Sequence, residues 1–193
     1  MNVYDFDKTI YPGDSALHFW LFCLRRHPAV LRSLPRAGWT ALRRLGAGDG
    51  KTGTKQTFFA YLQALPDTEA EVRLFWDRHI DRIYPWYLER KREDDVIISA
   101  SPDFLVGEAC RRLGVRCIAS RVDPRNGEFD GLNCWGEEKP RRFCIEYGNA
   151  EIDEFYSDSL SDEPMMALAS RAFVTKHARP QPWTGKKIPQ PQK

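Results

Sequence analysis

The hydrophobic and polar positions divide the chain into two regions of different periodicity. From residue 15 to about residue 92 the apolar residues recur at helical spacing, as in the stripe of Leu17, Trp20, Leu21 and Leu24. After residue 92, short apolar runs alternate with helical segments. Strands that alternate with helices are typical of a parallel sheet with crossover connections. The pattern therefore predicts an α/β protein that carries an all-helical insertion.

Capping residues and prolines predict the helix boundaries of the first region. Turn residues precede Ser15, which is a suitable N-cap for the first helix. A second apolar stripe covers residues 58–65, and Thr68 to Glu71 fits a capping box for the helix that follows. Pro85 is expected to end or kink that helix. No strand is predicted in this region.

Strand and helix signals follow one another in the second region. Besides a first strand that leads into Asp5, the predicted strands are Val96 to Ile98, Val115 to Arg121, Ile152 to Ser157 and Ala172 to Thr175. The predicted helices are Pro102 to Leu113 with Ser101 as N-cap, Pro140 to Tyr147 and Pro164 to Ser170, the first two closed by Gly114 and Gly148. Asn126-Gly127 is a hairpin turn signal.

These elements predict a division of the chain into a core, an insert and a tail. A three-layer α/β core is expected from residues 1–12 and 93–176, and a helical cap from residues 13–92. The cap directly follows the first strand, so it is expected to lie over the carboxyl end of that strand as a lid. Residues 177–193 have little apolar content and are predicted to form a flexible C-terminal tail.

Composition and charge narrow the range of functions. The 193 residues suffice for one good core, and 42% apolar with 29% charged residues is ordinary for a globular protein. A net charge of +2 gives no reason to expect a nucleic-acid partner. The five cysteines form an odd set without a CxxC pair, which predicts reduced thiols in a cytoplasmic protein. The oligomeric state stays open.

Membrane insertion is not expected from the apolar pattern. No basic and apolar leader precedes the first strand. The most apolar run, Leu17 to Leu24, is far shorter than the roughly 20 residues that a spanning helix needs. A spanning segment is therefore excluded, but attachment to a membrane surface is not.

Candidate chemistry lies where strands end and helices begin. Asp5 and Asp7 are two residues apart, so a strand would present both carboxylates on one side at its carboxyl end, where open α/β sheets bind ligands. Further chemical groups follow the later strands or precede the later helices. They are Ser99, Lys139, Asp158 and Asp162.

Four motifs in this order resemble those of the haloacid dehalogenase-like phosphatase superfamily. They are Asp5-Phe6-Asp7-Lys8-Thr9, the apolar run that ends at Ser99, Lys139 ahead of a helix, and Asp158-Ser159-Leu160-Ser161-Asp162. A helical cap between the first two motifs is similar to the branch that includes phosphoserine phosphatases. The resemblance implies a Rossmann-like parallel-sheet core and Mg²⁺-dependent hydrolysis of phosphomonoesters.

The residue types in these motifs suit phosphoryl transfer, which depends on charge neutralisation and in-line positioning. Asp5 would be the nucleophile and Asp7 the general acid and base. Asp5, the backbone carbonyl of Asp7 and Asp158 would hold Mg²⁺, which favours oxygen ligands. The supporting residues would be Thr9 and Asp162, the latter orienting a water molecule near the ion. Ser99, Ala100 and Lys139 would bind the phosphoryl oxygens.

Two features depart from the amino-acid phosphatases of this branch. Where those relatives carry a glutamate that meets the substrate ammonium, this chain has the shorter Asp14, a possible specificity residue. The fourth motif has Ser159, Leu160 and Ser161 in place of their glycine- and asparagine-containing stretch. Phosphoserine is therefore not the expected substrate.

A basic and apolar segment offers a second indication of the substrate. Between residues 15 and 48 the chain has arginines but no acidic residue, namely Arg25, Arg26, Arg32, Arg36, Arg43 and Arg44. Interleaved with them are Leu31, Leu34, Trp39, Leu42 and Leu45. Such a segment suits an anionic membrane surface, and it resembles the caps of bacterial lipid-phosphate phosphatases. The interpretation that we favour is an ordinary cap helix with a solvated arginine face and its apolar side packed inward.

Three hypotheses follow from the sequence. The first is a Mg²⁺-dependent phosphatase acting on a small, soluble phosphorylated metabolite. The second is the same chemistry on a phosphatidylglycerophosphate-like lipid phosphate at the cytoplasmic face of a membrane. The third is a non-catalytic binding module that kept the fold. A dehalogenase is disfavoured, because that reaction has no leaving alkoxide that needs Asp7.

Overall fold

A computed structural model describes residues 1–33 and 58–185 of the chain. Its strands are β1 Asn2–Tyr4, β2 Val96–Pro102, β3 Arg116–Ser120, β4 Ile152–Ser157, β5 Ala169–Lys176 and β6 Arg179–Pro182. They form one sheet in the order β3-β2-β1-β4-β5-β6. All neighbouring strands pair in parallel except β5 and β6, which are antiparallel. The predicted parallel α/β fold class is therefore confirmed.

Helices cover both faces of this sheet. The α-helices are α1 Ser15–Arg26, α2 Thr68–His79, α3 Pro85–Leu88, α4 Asp103–Leu113, α5 Glu138–Tyr147 and α6 Glu163–Met166. Short 3-10 helices lie at Pro28–Ser33, Ala60–Ala64, Ile80–Arg82 and Leu160–Asp162. Among the described residues, α1, α2 and α3 lie between β1 and β2, in the segment of residues 13–92 that we call the helical insert.

The two faces of the sheet bury separate hydrophobic clusters. Because side chains alternate along a strand, Val3 and Tyr4 of β1 belong to different clusters. On the Tyr4 face, α4 packs together with Phe19 of α1 and Phe75 of α2. On the Val3 face, α5 and α6 cover the sheet. The described part of the helical insert thus shares its core with the sheet.

The two main helices of the insert begin with aspartate caps. The side chain of Asp14 accepts a hydrogen bond of 2.9 Å from the Leu17 amide, and that of Asp67 accepts one of 2.9 Å from the Ala70 amide. The predictions of Ser15 as N-cap and of a capping box from Thr68 were therefore wrong by one residue. In both places the sequence offers two adjacent capping residues, and the first of them is used.

The buried face of α1 also differs from the predicted stripe. Leu17 and Leu21 are 44% and 37% exposed. The buried large residues are Phe19, Phe22 and Cys23. Large apolar residues occupy both sides of this helix, so periodicity alone did not identify the side that meets the sheet.

Several helix and strand boundaries after residue 92 differ from the predicted ones. Strand β2 continues to Pro102, so Ser101 is a strand residue and does not cap α4. Helix α5 begins at Glu138 and includes Lys139 in its first turn. Helix α6 ends at Met166, because the chain enters β5 at Ala169. The predicted strand Ile152–Ser157 is confirmed.

The prolines occupy different positions in the secondary structure from those predicted. Helix α2 ends at His79, and Pro85 stands in the first turn of α3, where its missing amide hydrogen costs nothing. The predicted flexible tail was wrong for Arg179–Pro182, which pair with β5 at the edge of the sheet. Edge strands tolerate proline because one side of the strand needs no partner. Residues 186–193 lie outside the described range.

Within residues 1–33 and 58–185, no helix is long and apolar enough to span a bilayer. Part of the predicted basic segment, including Arg36, Arg43 and Arg44, lies outside the described residues. Arg26 is described, and it makes an ion pair with Glu71 through Nε and Oε2 at 2.7 Å. That arginine is therefore engaged within the helical insert.

Glu71 generates a prediction about stability. Its carboxylate is 5% exposed and accepts hydrogen bonds from Arg26, while His27 Nε2 lies 3.0 Å from Oε1. Replacing Glu71 by Gln removes the charge that joins α1 to α2 and leaves Arg26 without its anion. We expect the free energy of unfolding at pH 7 to fall by about 1–3 kcal/mol, measured by denaturant titration.

The pH dependence and a surface variant provide the controls. Burial alone would raise the pKa of Glu71, but the hydrogen bonds from Arg26 and His27 outweigh it and lower the pKa. The stabilisation is therefore present above the unfolded pKa of about 4.3 and is lost as the pH falls further. Glu69→Gln on the same helix, where the side chain is 73% exposed, should change stability little. Equal effects of both variants would contradict the prediction.

Candidate active site

The turn after β1 holds the first two predicted carboxylates. β1 ends at Tyr4, but the Asp5 amide still donates to Tyr156 O at 2.8 Å and keeps Asp5 at the sheet. The chain then turns around Phe6 O, which accepts bonds from the amides of Thr9, Ile10 and Tyr11. Asp7 therefore lies beyond the regular strand. A turn brings it toward Asp5, whereas the sequence predicted that the alternation of side chains along a strand would do so.

Asp5 forms one side of a buried charge cluster. Lys139 Nζ donates to Asp5 Oδ1 at 2.7 Å and to Asp162 Oδ2 at 2.6 Å, and the lysine is 2% exposed. Burial alone would lower the pKa of Lys139, but the two carboxylates raise it above its ordinary value. The lysine is therefore a fixed cation between two carboxylates from distant parts of the chain.

Thr9 connects the first motif to the fourth. Its buried hydroxyl donates to Asp5 Oδ2 at 3.3 Å and accepts a bond of 2.9 Å from the Asp158 amide. Asp162 is held in turn by Ser157, whose hydroxyl donates to Oδ2 at 2.8 Å. The end of β1 and the end of β4 are thereby fixed to each other through side chains as well as through the sheet.

Asp7 is held by the insert and the core together. The Ser15 amide, in the first turn of α1, donates to Asp7 Oδ1 at 2.7 Å. The Ser101 hydroxyl, at the end of β2, donates to Asp7 Oδ2 and accepts from Ser15 Oγ at 3.5 Å. Both serines are buried. Each oxygen of this carboxylate therefore has a fixed donor.

The predicted phosphate-binding residues lie at the end of β2. Ser99 is 1% exposed, and its Oγ accepts a bond of 3.1 Å from the Ser101 amide. Ala100 O accepts a hydrogen bond of 3.1 Å from Ser120 Oγ, which connects this end of β2 to β3. Ser99 and Ala100 line the same cavity as Asp5 and Lys139.

All the predicted site residues except Thr9 line one cavity of about 710 Å³. Thr9 lies behind Asp5 and Asp158, as described above. Asp14 also lines the cavity while it caps α1, so the possible specificity residue has a structural task as well. The sequence-predicted set is therefore brought together in one place, and the roles assigned to its members stay predictions.

Burial changes the protonation of these carboxyl groups. It raises the pKa of Asp7 to about 6, with the negative charge of Asp14 adding to the effect. Burial also raises the pKa of Asp5, and the Lys139 ammonium offsets only part of this. The pKa of Asp158 is raised by burial too. The carboxylates thus outnumber the cations around them.

This charge excess fits the predicted Mg²⁺ site. The residues 1–33 and 58–185 contain no group of three or more His, Cys, Asp or Glu side chains arranged as metal ligands. The predicted set uses two carboxylates, Asp5 and Asp158, with the backbone carbonyl of Asp7. Buried Asp162 Oδ1 has no hydrogen-bond partner within the protein, so it can accept from water of a hydrated cation. Oxygen donors and surplus negative charge suit Mg²⁺.

Sequence reasoning missed several residues of the cavity. Ser101 was interpreted as a helix cap, although Ser99 and Ser101 share the two-residue spacing that places side chains on one side of a strand. Trp135, Leu17 and Phe58 also line the cavity. No local pattern marks these three, because they come from the insert and from the loop before α5.

Comparisons with known proteins give a family and a shared fold. A family model described as haloacid dehalogenase-like hydrolase matches residues 3–167. No curated protein sequence matches the chain. Among solved structures, a protein of unknown function from Bordetella pertussis Tohama I has a TM-score of 0.72 at 22% identity, over 90% of this chain and 88% of its own.

Two further structures share the fold at lower identity. A phosphoserine phosphohydrolase-like protein from Francisella tularensis subsp. tularensis SCHU S4 has a TM-score of 0.56 at 15% identity, over 92% of this chain and 88% of its own. Cytosolic 5'-nucleotidase IIIB bound to cytidine has a TM-score of 0.56 at 13% identity, over 90% of this chain and 71% of its own. At such identities these likenesses show the fold alone.

The family model covers most of the chain, including all four motifs that carry the sequence resemblance. The predicted family and the prediction of an enzyme are therefore confirmed, and the match supports a phosphatase. The chain belongs to the haloacid dehalogenase-like hydrolase family.

Proposed function

We propose that this protein is a Mg²⁺-dependent phosphomonoester hydrolase that forms an aspartyl-phosphate at Asp5. The observation that carries the proposal is the position of Lys139, whose buried ammonium bonds both Asp5 and Asp162 at the floor of the cavity. A cation fixed against a carboxylate nucleophile can neutralise an incoming phosphoryl group without reorganising. A second carboxyl group, Asp7, lines the same cavity and has its own donors.

In the first step, a carboxylate oxygen of Asp5 attacks phosphorus, and the bond from phosphorus to the leaving oxygen breaks. The proton of Asp7 passes to the leaving oxygen, so the alcohol departs neutral. Asp7 suits this task because its pKa is raised to about 6, chiefly by burial. A carboxyl group with this pKa still carries a proton in an appreciable fraction of molecules near neutral pH.

In the second step, water attacks the phosphorus of the aspartyl-phosphate and gives a proton to Asp7. The bond between phosphorus and Asp5 breaks, which releases inorganic phosphate and restores both carboxyl groups. The Ser15 amide and the Ser101 hydroxyl hold Asp7 for both proton transfers. Asp5, the backbone carbonyl of Asp7 and Asp158 would hold Mg²⁺, and the bound ion supplies charge neutralisation at the phosphoryl oxygens.

The proposed substrate is a small, soluble phosphorylated metabolite in the cytoplasm. The cavity of about 710 Å³ has the size of sites that enclose small molecules. All five cysteines of the chain are free thiols, which is typical of reducing compartments. Free thiols support a cytoplasmic place of action.

The nucleophile is tested by Asp5→Asn. An amide oxygen is a poor nucleophile, so turnover of a generic aryl phosphate should fall by about three orders of magnitude or more. Phosphate release would be measured with and without magnesium chloride. Asp130→Asn, whose side chain is 84% exposed, is the matched control and should keep its activity. Unchanged turnover in Asp5→Asn would favour the third hypothesis, a binding module without this chemistry.

Ser101 is expected to position Asp7 for proton transfer. Ser101→Ala removes the donor to Asp7 Oδ2. We expect kcat for an alkyl phosphate to fall about tenfold, because its leaving group needs the acid. For an aryl phosphate, whose leaving group needs little protonation, kcat should change much less. The ratio of the two kcat values is the measurement.

A buried serine away from the catalytic carboxylates controls for loss of stability. Ser120 is fully buried and bonds Ala100 O and Asn133. Ser120→Ala should lower the free energy of unfolding while keeping the alkyl-to-aryl ratio of the unchanged protein. If Ser101→Ala leaves the ratio of kcat for alkyl and aryl phosphates unchanged, Ser101 contributes to the fold alone.

A lipid phosphate is the second candidate substrate class. Leu21 and Leu31, on the outer side of the insert, are 37% and 51% exposed, and Leu17 beside the cavity is 44% exposed. Exposed apolar side chains near a cavity opening favour contact with a membrane surface. If this candidate is correct, the protein should co-sediment with anionic vesicles at low salt. If the protein does not bind anionic vesicles at low salt but hydrolyses soluble phosphomonoesters, the lipid phosphate is rejected and the small, soluble metabolite remains.

A further inference from the structure

Large apolar side chains line the cavity together with its charged residues. Leu17, Phe58 and Trp135 all line the cavity, and they are 44%, 36% and 40% exposed. We call these three residues the apolar rim. Exposed apolar residues are ordinary when they are scattered, but a group of them around a concave site is typical of a ligand-binding surface.

The apolar rim is held in place by its neighbours. The Phe58 ring lies 6.3 Å from that of Trp20 and 5.2 Å from that of Phe59, as measured between centroids. Phe59 in turn lies 6.1 Å from Phe129, in the loop that follows β3. The insert and this loop are therefore packed against each other beside the cavity.

A glycine permits this close approach. A Cβ atom at Gly127 would lie 2.5 Å from Phe59 O, and the residue has a φ of +79° that favours glycine. The same loop continues to Trp135, whose amide donates to Asn133 O at 2.8 Å just before α5. Both sides of the apolar rim thus belong to one packed unit.

Most of the charged residues that line the cavity belong to the catalytic set of the proposed function. Among residues 1–33 and 58–185, the other charged residues that line the cavity are Lys8 and Asp14. Asp14 accepts from the Leu17 amide as the cap of α1. A leaving group that extends from the scissile bond toward Leu17, Phe58 and Trp135 therefore meets apolar surface.

We infer that the apolar rim binds the leaving group of the substrate, and that this group is an apolar alcohol with an alkyl or aryl body. The inference rests on the proposed function, because it places the phosphoryl group at Asp5 and Lys139. Selectivity arises because an apolar body loses contact with water against the rim, whereas placing a charged or strongly polar body there removes it from water at a cost.

A series of straight-chain alkyl phosphates from methyl to hexyl phosphate tests the inference. The reactivity of the ester bond is nearly constant along such a series, so changes in kcat/KM report contact of the chain with the protein. Each methylene that the rim buries should raise kcat/KM about two- to fourfold. Phosphoserine and glycerol phosphate should lie below butyl phosphate. A flat or falling series overturns the inference.

Variants assign the effect to the rim. Trp135→Ala and Leu17→Ala should each reduce the rise of kcat/KM per methylene, and Trp135→Phe should retain most of it. Ile145→Ala, at a 70% exposed apolar position on α5 that does not line the cavity, should keep the full rise. An equal rise in all variants would contradict the assignment to these residues.

Binding without turnover separates the two proposals. Non-hydrolysable alkylphosphonates of increasing chain length would be titrated calorimetrically into the protein with Mg²⁺, and their affinity should rise with chain length. Hydrolysis of methyl phosphate with no chain-length effect leaves the proposed function intact and rejects the inference. Phosphonate affinity that rises with chain length in a protein that hydrolyses none of the esters rejects the proposed function alone.

Discussion

The buried ammonium of Lys139 is the interaction on which the site depends. Removing an ammonium group from water costs several kcal/mol unless charge partners replace the solvent. Here Asp5 and Asp162 replace it at 2.7 and 2.6 Å. The three residues come from the turn after β1, the first turn of α5 and the segment after β4. The ion pairs therefore require the fold and the catalytic floor to form together.

The same arrangement places more negative charge in the cavity than the protein neutralises. Asp5, Asp7 and Asp158 all have pKa values raised above the ordinary range, and burial is the main cause in each case. Carboxyl groups in such surroundings favour protonation or a bound cation. The site thus combines a poised acid at Asp7 with an oxygen environment suited to a divalent ion. In the proposed function, the fixed ammonium of Lys139 and a bound Mg²⁺ would balance the charge of an entering phosphoryl group.

Asp7 connects the chemistry to the helical insert. One of its oxygens is held by α1 of the insert and the other by Ser101 of the sheet. The first turn of α1 also carries Leu17 of the apolar rim. The Leu17 amide donates a hydrogen bond to the side chain of Asp14, the N-cap of this helix. In the proposed function, recognition of the leaving group and delivery of its proton would therefore both depend on one helix terminus. Any shift of α1 relative to β2 would change both.

Much of this protein follows from its sequence alone. Local periodicity predicted the α/β class, the helical insert and the strand Ile152–Ser157, and the order of the motifs predicted the family. The α/β class and the strand are confirmed because they depend on residues close in the chain, and the family model confirms the family. The division into core and helical insert stays a prediction. The choice between two adjacent capping residues, and between the two apolar sides of α1, depended on packing against the sheet.

The sequence by itself determined which groups are candidates for the chemistry, since Asp5, Asp7, Lys139 and Asp158 are marked by their places beside strands and helices, and the structure brings them to one cavity. Only the tertiary structure decided what holds and surrounds them. Ser101 meets Asp7, and Trp135 comes to face the cavity beside Leu17, across long separations in the chain. Such contacts form when separate elements pack, so no local spacing records them.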